Sequence, residues 1–148
     1  MKSALPYLGV PVPTVRSITR SAERQRPPDS TAGLVATSTT LWTQATRREH
    51  RYAATELTNT VTGRKLLTMA TLPMFEEMIV TGAWWDHVDE ISHRIGALLA
   101  QYPDEMSAIL RAWAVGSDKW LRRSSIICQI GAKANTDVAL LSEAIDAQ

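Results

Sequence analysis

Apolar residues recur along this chain in stretches of helical length, and no stretch alternates with the period of two that marks a strand. The pattern predicts helices near 14–20, 31–42, 47–62, 72–81, 84–101, 104–115, 118–132 and 137–147. Breakers stand between them: Pro27-Pro28-Asp29-Ser30, Gly63, Pro73, Gly82, Pro103, Gly116-Ser117-Asp118 and Asn135-Thr136-Asp137. In the segment 104–115, Met106, Ile109, Leu110 and Trp113 fall at i, i+3, i+4 and i+7, the stripe of a core-facing helix. Thr37-Ser38-Thr39-Thr40 are poor helix formers and weaken the case for 31–42. In the last segment Val138, Leu141 and Ile145 share one face behind a capping Asn/Thr/Asp cluster. The expectation is an all-α fold of short helices with tight connections. Such helices form either a bundle or a stack of antiparallel hairpins, and no textual repeat decides between the two.

Two of these helices carry residues out of step with their own pattern. In 84–101, Trp84, Val88, Ile91, Ile95, Leu98 and Leu99 define one apolar arc, with Asp86, Glu90 and Arg94 on the opposite, solvated side. Trp85, Asp89 and His93 occupy a flank between the two, one above the other at successive turns. An indole next to a carboxylate at the edge of a core offers a flat π surface beside a charge in a partly dry place. The plainer account is that Trp85 covers the rim of the core while Asp89 complements the helix dipole. In 118–132, Arg122 and Gln129 point to water, whereas Arg123 falls among Ile126, Ile127 and Ile130. A guanidinium there needs a carboxylate or an anion. It makes either a structural ion pair or a cleft shared with Asp89. The residues expected in the core are Trp84, Val88, Ile95, Met106, Leu110, Trp113, Ile127 and Ile130.

Composition narrows the chemistry. The 148 residues are 45% apolar and 21% charged, enough for the core of one domain, 1–148. A single Cys128 excludes an internal disulfide and a multi-cysteine zinc site, and three histidines form no HExxH, so no metal enzyme is expected. No run of 18 apolar residues predicts a membrane span, and the Pro-broken start is no secretory signal, so the cytoplasm is the expected compartment. The net charge of +1 conceals an asymmetry: residues 1–65 hold 10 Lys/Arg and 4 Asp/Glu, residues 66–148 hold 6 and 11. Twelve of the 16 basic residues are Arg, whose planar fork suits phosphate. A merely solvated surface has the same composition.

Lys2-Ser3, Tyr7-Leu8-Gly9-Val10-Pro11-Val12-Pro13 and Arg16, then Glu49-His50-Arg51 with Ala53-Ala54, then Trp84-Trp85-Asp86 with Val88-Asp89 occur in order along the chain. Trp113-Ala114, Ser117, Trp120-Leu121-Arg122-Arg123, Ile126-Ile127 and Thr136-Asp137 complete the series. Together they resemble the DNA alkylation repair enzymes of the AlkD type. The Trp-Trp-Asp and Trp-Leu-Arg-Arg blocks are the specific parts, and residues 21–45 add little. The resemblance implies a right-handed superhelix of HEAT-like antiparallel repeats with a concave face for double-stranded DNA. It also implies a monomeric, monofunctional glycosylase that hydrolyses the N-glycosidic bond of N3- or N7-alkylated purines. The Trp, Asp and Arg that line the family's cleft fall on Trp85, Asp89 and Arg123. Against the family pattern, the chain looks clipped at both ends.

An alkylated purine is cationic and already a good leaving group, and bond breakage leaves oxocarbenium-like charge on the sugar, so the activity that the resemblance implies requires no metal and no organic cofactor. Asp89 is expected to stabilise that charge and orient water, Trp85 to pack on the lesion, and Arg123 to hold a phosphate and steady Asp89. Arg51, Lys119 and Arg122 are expected backbone contacts to DNA, with plain solvation as the alternative for each. Two other functions compete: a catalytically silent HEAT-like scaffold that binds DNA structure or lesions, and a protein-interaction module.

Overall fold

The computed structural model describes residues 5–148, so Lys2 and Ser3 of the first motif lie outside the described residues. All described elements are helical, with no strand among the described residues. They fall into two compact units, Met1–Thr71 and Leu72–Gln148.

The first unit holds α1 (Val12–Gln25), α2 (Thr31–Thr43), α3 (Arg48–Leu57), α4 (Val61–Lys65) and a 3-10 turn at Met69–Thr71. α1 carries Pro in its first turn, where the missing N–H costs nothing, and it runs past the expected 14–20 to the Pro27-Pro28 break. α2 forms despite its threonines. Ser30 caps it, accepting the Gly33 N–H at 3.1 Å, and Leu34, Ser38 and Trp42 bury one face. The Thr40 and Thr43 hydroxyls donate to Ala36 and Thr39 carbonyls at 2.8 Å, which absorbs their competition with the backbone. The single helix expected at 47–62 is two. Thr58 Oγ1 donates to the Thr55 carbonyl at 2.7 Å and closes α3, while Thr60 Oγ1 accepts the Gly63 N–H at 3.0 Å and opens α4. α3 packs on both α1 and α2 and centres the unit.

The second unit holds α5 (Leu72–Gly82), α6 (Trp85–Gln101), α7 (Pro103–Val115), α8 (Lys119–Ile127), a 3-10 turn at Lys133–Asn135, and α9 (Val138–Asp146). One or a few residues join α5 to α6, α6 to α7 and α7 to α8, so neighbours run antiparallel. α6 and α8 consequently lie side by side and parallel. Their register is fixed by three rungs: Asp89 to Arg123, Ser92 to Ser124, and Gly96 to the Cys128 carbonyl. This is a repeat of helical hairpins, the arrangement that equal helix lengths and short turns favour.

Val88, Ile95, Met106, Leu110 and Trp113 are buried, joined by Phe75, Met78, Ile79, Ile91, Leu98 and Leu140. Three expected core positions differ. Trp84 is only half-buried because it is the N-cap of α6 and stands at the helix end. Ile127 is half-buried and Ile130 is 69% exposed, because α8 stops at Ile127 and the chain turns away from the helical phase beyond it. Gln129, expected in water, is buried instead: its amide donates to the Asp137 carbonyl at 3.1 Å and accepts the Asp137 N–H at 2.7 Å. Arg94 was expected on a solvated face and is buried, its fork on Glu90 at 2.8 Å. α6 packs on α5, α7 and α8, which leaves too little of its circumference for a separate water face.

Candidate active site

The small residues on the inner side of α8 set the geometry. Ser124 and Ser125 are fully buried, and the Ser124 and Ser92 hydroxyls share a hydrogen bond of 2.9 Å between α8 and α6. Gly96 lets the end of α8 approach still closer, since a Cβ there would overlap the Cys128 carbonyl oxygen. With the backbones so near, Asp89, one turn before Ser92, meets Arg123, the neighbour of Ser124, across the groove.

There, Arg123 Nε donates to Asp89 Oδ1 at 2.6 Å and Nη2 donates to Oδ2 at 2.8 Å. This is the two-pronged fork that fixes both partners in one plane. Donating these hydrogen bonds to Asp89 raises the Arg123 pKa above its ordinary value against partial burial, and the carboxylate charge adds to the rise. The pair is open: the side chains are 42% and 36% exposed. Exposed ion pairs stabilise a fold by only about 0.2–1 kcal/mol, so stability alone is a thin reason for so well-made a fork. Each Asp89 oxygen still has an unused lone pair for a further donor.

Trp85 stands one turn before Asp89 on the same flank and is 53% exposed. Among the described residues it makes no ring contact, whereas Trp84 turns inward and meets Trp120 at 6.5 Å between centroids, tilted by 50°. That aromatic pair ties the N-terminal ends of α6 and α8 together behind the fork. Lys119 Nζ lies 5.4 Å from the Trp120 ring centroid. Asp118 caps α8 by accepting the Trp120 and Leu121 N–H groups at 2.8 and 3.0 Å, which fixes where Arg123 emerges. Further along the flank, His93, Gly96 and Ala100 line a cleft of about 680 Å³ with Ser107, Gln129 and Asn135; Trp85, Asp89 and Arg123 do not line it. Burial pushes the Cys128 thiol on its wall up to about 12, so it is no nucleophile at neutral pH.

The expected DNA contacts are engaged in different ways. Lys119 is exposed on the first turn of α8. Arg122 Nη1 donates to the Gly116 and Ser117 carbonyls at 2.7 and 3.0 Å, which closes the end of α7. Arg51 lies in the first unit with its guanidinium 4.5 Å from the Trp42 ring centroid, and burial and the charge of Arg48 lower its pKa. The sequence reading missed Ser92, Ser124 and Gly96, which hold the helices at the distance the fork needs. Their signal was there, small residues in register on two amphipathic helices.

Glu49 and the Leu8–Val10 backbone, from the motifs of the first unit, form one structural clamp. Glu49 is buried and accepts the Leu8 N–H at 2.9 and 3.0 Å, the Gly9 N–H at 2.9 Å and the Val10 N–H at 3.2 Å. Gly9 sits at φ +85°, a left-handed conformation that turns these successive N–H groups inward. Burial alone would raise the Glu49 pKa; the backbone donors outweigh it and hold the carboxyl below its ordinary value.

A model of the DNA alkylation repair enzyme family matches residues 1–148, the whole chain. The chain belongs to that family. No curated protein matches it. This DNA alkylation repair enzyme therefore has its role in the repair of alkylated DNA, and DNA is its partner. Among the described residues, no helix is long and apolar enough to cross a membrane, and no three His, Cys, Asp or Glu side chains cluster as a metal site.

Proposed function

We propose that this chain is a monofunctional DNA glycosylase that releases N3- and N7-alkylated purines from double-stranded DNA. The observation that carries the proposal is the Asp89–Arg123 fork, standing open to solvent one helical turn from a Trp85 indole that is itself half in water. Folding gains little from leaving a large apolar ring and a well-ordered ion pair at the surface together, whereas a flat cationic ligand gains from both.

In this reading Trp85 packs against the sugar or base of the lesion. As the glycosidic bond lengthens, its electron pair leaves with the purine, which the alkyl group has already made cationic. Positive charge accumulates at the sugar, and Asp89 stabilises it and orients the attacking water. The water loses its proton to Asp89 as the new C–O bond forms, and no separate general acid is required. Arg123 holds the carboxylate in place and directs its remaining N–H groups to a flanking phosphate. Lys119 adds a backbone contact; Arg51 and Arg122 contribute through the segments they brace.

Incubation with duplex DNA carrying 3-methyladenine or 7-methylguanine tests the proposal. Free alkylpurine and an intact, abasic strand are the expected products. A protein that binds such duplex without releasing base is instead the silent scaffold, for which the Asp89 carboxylate, repelling phosphate, has no use.

A further inference from the structure

The charge asymmetry of the sequence coincides with the structural division. The unit Met1–Thr71 contains ten Lys/Arg and four Asp/Glu, while the unit Leu72–Gln148 contains six and eleven. The candidate chemistry thus sits in an acidic unit, which is a poor collector of phosphates. Within the basic unit, α1 carries three of the ten basic residues. Arg16, Arg20 and Arg24 recur every fourth residue on one face, about 6 Å apart along the axis, and with Pro13 and Ser17 they line a trough of about 280 Å³.

Arg20 and Arg24 exceed what the fold consumes. The carboxylate of Glu56, buried in α3, takes Arg20 Nε at 2.7 Å and Arg16 Nε at 3.4 Å. That contact orients two guanidinia and neutralises one charge. Arg20 remains 51% exposed, and its Nη groups make no hydrogen bond among the described residues. Arg24 is exposed and makes no hydrogen bond or ion pair among the described residues. Glu23, the one acid of α1, is turned to the buried side with Val15 and Thr19.

We infer that the Arg16–Arg20–Arg24 face of α1 is a phosphodiester-binding ridge, which grips the DNA backbone independently of sequence and of damage. Glu56 acts as its positioning residue, anchoring the inner ends of two side chains so that less freedom is lost on binding. The Ser17 hydroxyl supplies a neutral donor beside them. The inference rests on DNA being the partner, and not on glycosylase activity. It divides the labour: the basic unit supplies affinity and the acidic unit supplies chemistry.

The test is the salt dependence of binding to an undamaged duplex, measured by fluorescence anisotropy for the full chain and three variants. Arg24→Ala removes a guanidinium with no structural partner. Ser17→Glu places a carboxylate in the trough at an exposed helical position. Arg111→Gln removes a surface charge of the acidic unit as a control. Circular dichroism verifies that all three remain helical. Each phosphate contact contributes about 0.9 to the slope of log affinity against log salt. Arg24→Ala is expected to lower the slope by about 1 and the affinity about five- to tenfold, equally for damaged and undamaged duplex. Ser17→Glu lowers affinity at least as much, and Arg111→Gln changes neither quantity. A parent slope retained in both α1 variants overturns the ridge and leaves DNA as the partner. An equal loss in Arg111→Gln overturns it too, because general surface charge then accounts for binding. If the parent chain binds no duplex even at low salt, the DNA-binding reading itself fails and the ridge falls with it.

Discussion

Replacing Gly96 by alanine sets two physical effects against each other, and the structure says which wins. In an exposed helix the change stabilises by about 1 kcal/mol, since alanine restricts the unfolded chain and favours the helix. Here the added Cβ falls well within 3.0 Å of the Cys128 carbonyl oxygen, closer than real Cβ atoms come, and 3.2 Å from its carbon. The obstacle is backbone, which no side-chain rotation can clear. α6 and α8 must separate by about 1 Å at this rung to restore normal contact, at the roughly 1–3 kcal/mol typical of overpacking. The net expectation is a destabilisation of up to about 2 kcal/mol in urea titration. The fork is affected through the same lever, because the Ser92–Ser124 bond and the Asp89–Arg123 contact lie on successive rungs above Gly96. Loosening catalytic geometry by about 1 Å can cost 100-fold in rate, so base release per folded molecule should drop by one to two orders of magnitude. A Gly96→Ala protein that is more stable than the parent, with undiminished base release, refutes the close approach and its role in setting the fork.

Three further outcomes follow from the geometry. Glu49→Gln replaces an acceptor oxygen with a donor facing the Leu8–Val10 N–H groups, so stability at pH 7 should fall by about 2–3 kcal/mol in chemical denaturation. Because the folded pKa of Glu49 lies below the ordinary 4.5, the unfolded chain takes up the proton first as pH falls. The parent's advantage is therefore complete above that value and shrinks as pH drops through the folded pKa; a difference that does not change with pH contradicts the clamp. Arg123→Ala should reduce both DNA affinity and single-turnover base release, with little change in melting temperature, since the pair it breaks is exposed. Trp85→Ala should leave affinity for undamaged duplex nearly intact and lower base release, and an equal loss on both readouts would make the indole a general DNA contact.

The sequence made the phase of α6 legible because that helix is long and regular: Val88, Ile91, Ile95 and Leu98 are buried and Trp85 stands outside their arc. The same reasoning failed at Ile130, where a helical wheel was extended past the end of α8. Helix ends depend on caps and turns, and Ser125 and Cys128 back-bonding to Arg122 and Ser125 at 2.7 and 3.5 Å is not a periodic signal. Arg94 was misplaced for another reason. A wheel assigns a water side to every helix, but α6 has neighbours on several sides, and its second polar face is partly covered, with Arg94 buried and Asp86 and Glu90 half-buried. Arg123 stands out in the sequence as a charge in apolar company. Its actual surroundings are the buried Ser124 and Ser125 beneath an open groove, which periodicity in hydrophobic residues cannot reveal.

The central claim is that the Asp89 charge does chemistry rather than hold the fold. Single-turnover release of 7-methylguanine from duplex DNA, with parent and Asp89→Asn protein at saturating concentration, tests it most directly. Asparagine keeps the size of the side chain and one oxygen for Arg123, so helicity and duplex affinity should stay within a few-fold of the parent. Removing a preorganised charge aimed at the developing oxocarbenium should lower the release rate by about 100- to 1,000-fold. Release by Asp89→Asn at the parent rate would contradict the catalytic role of the carboxylate.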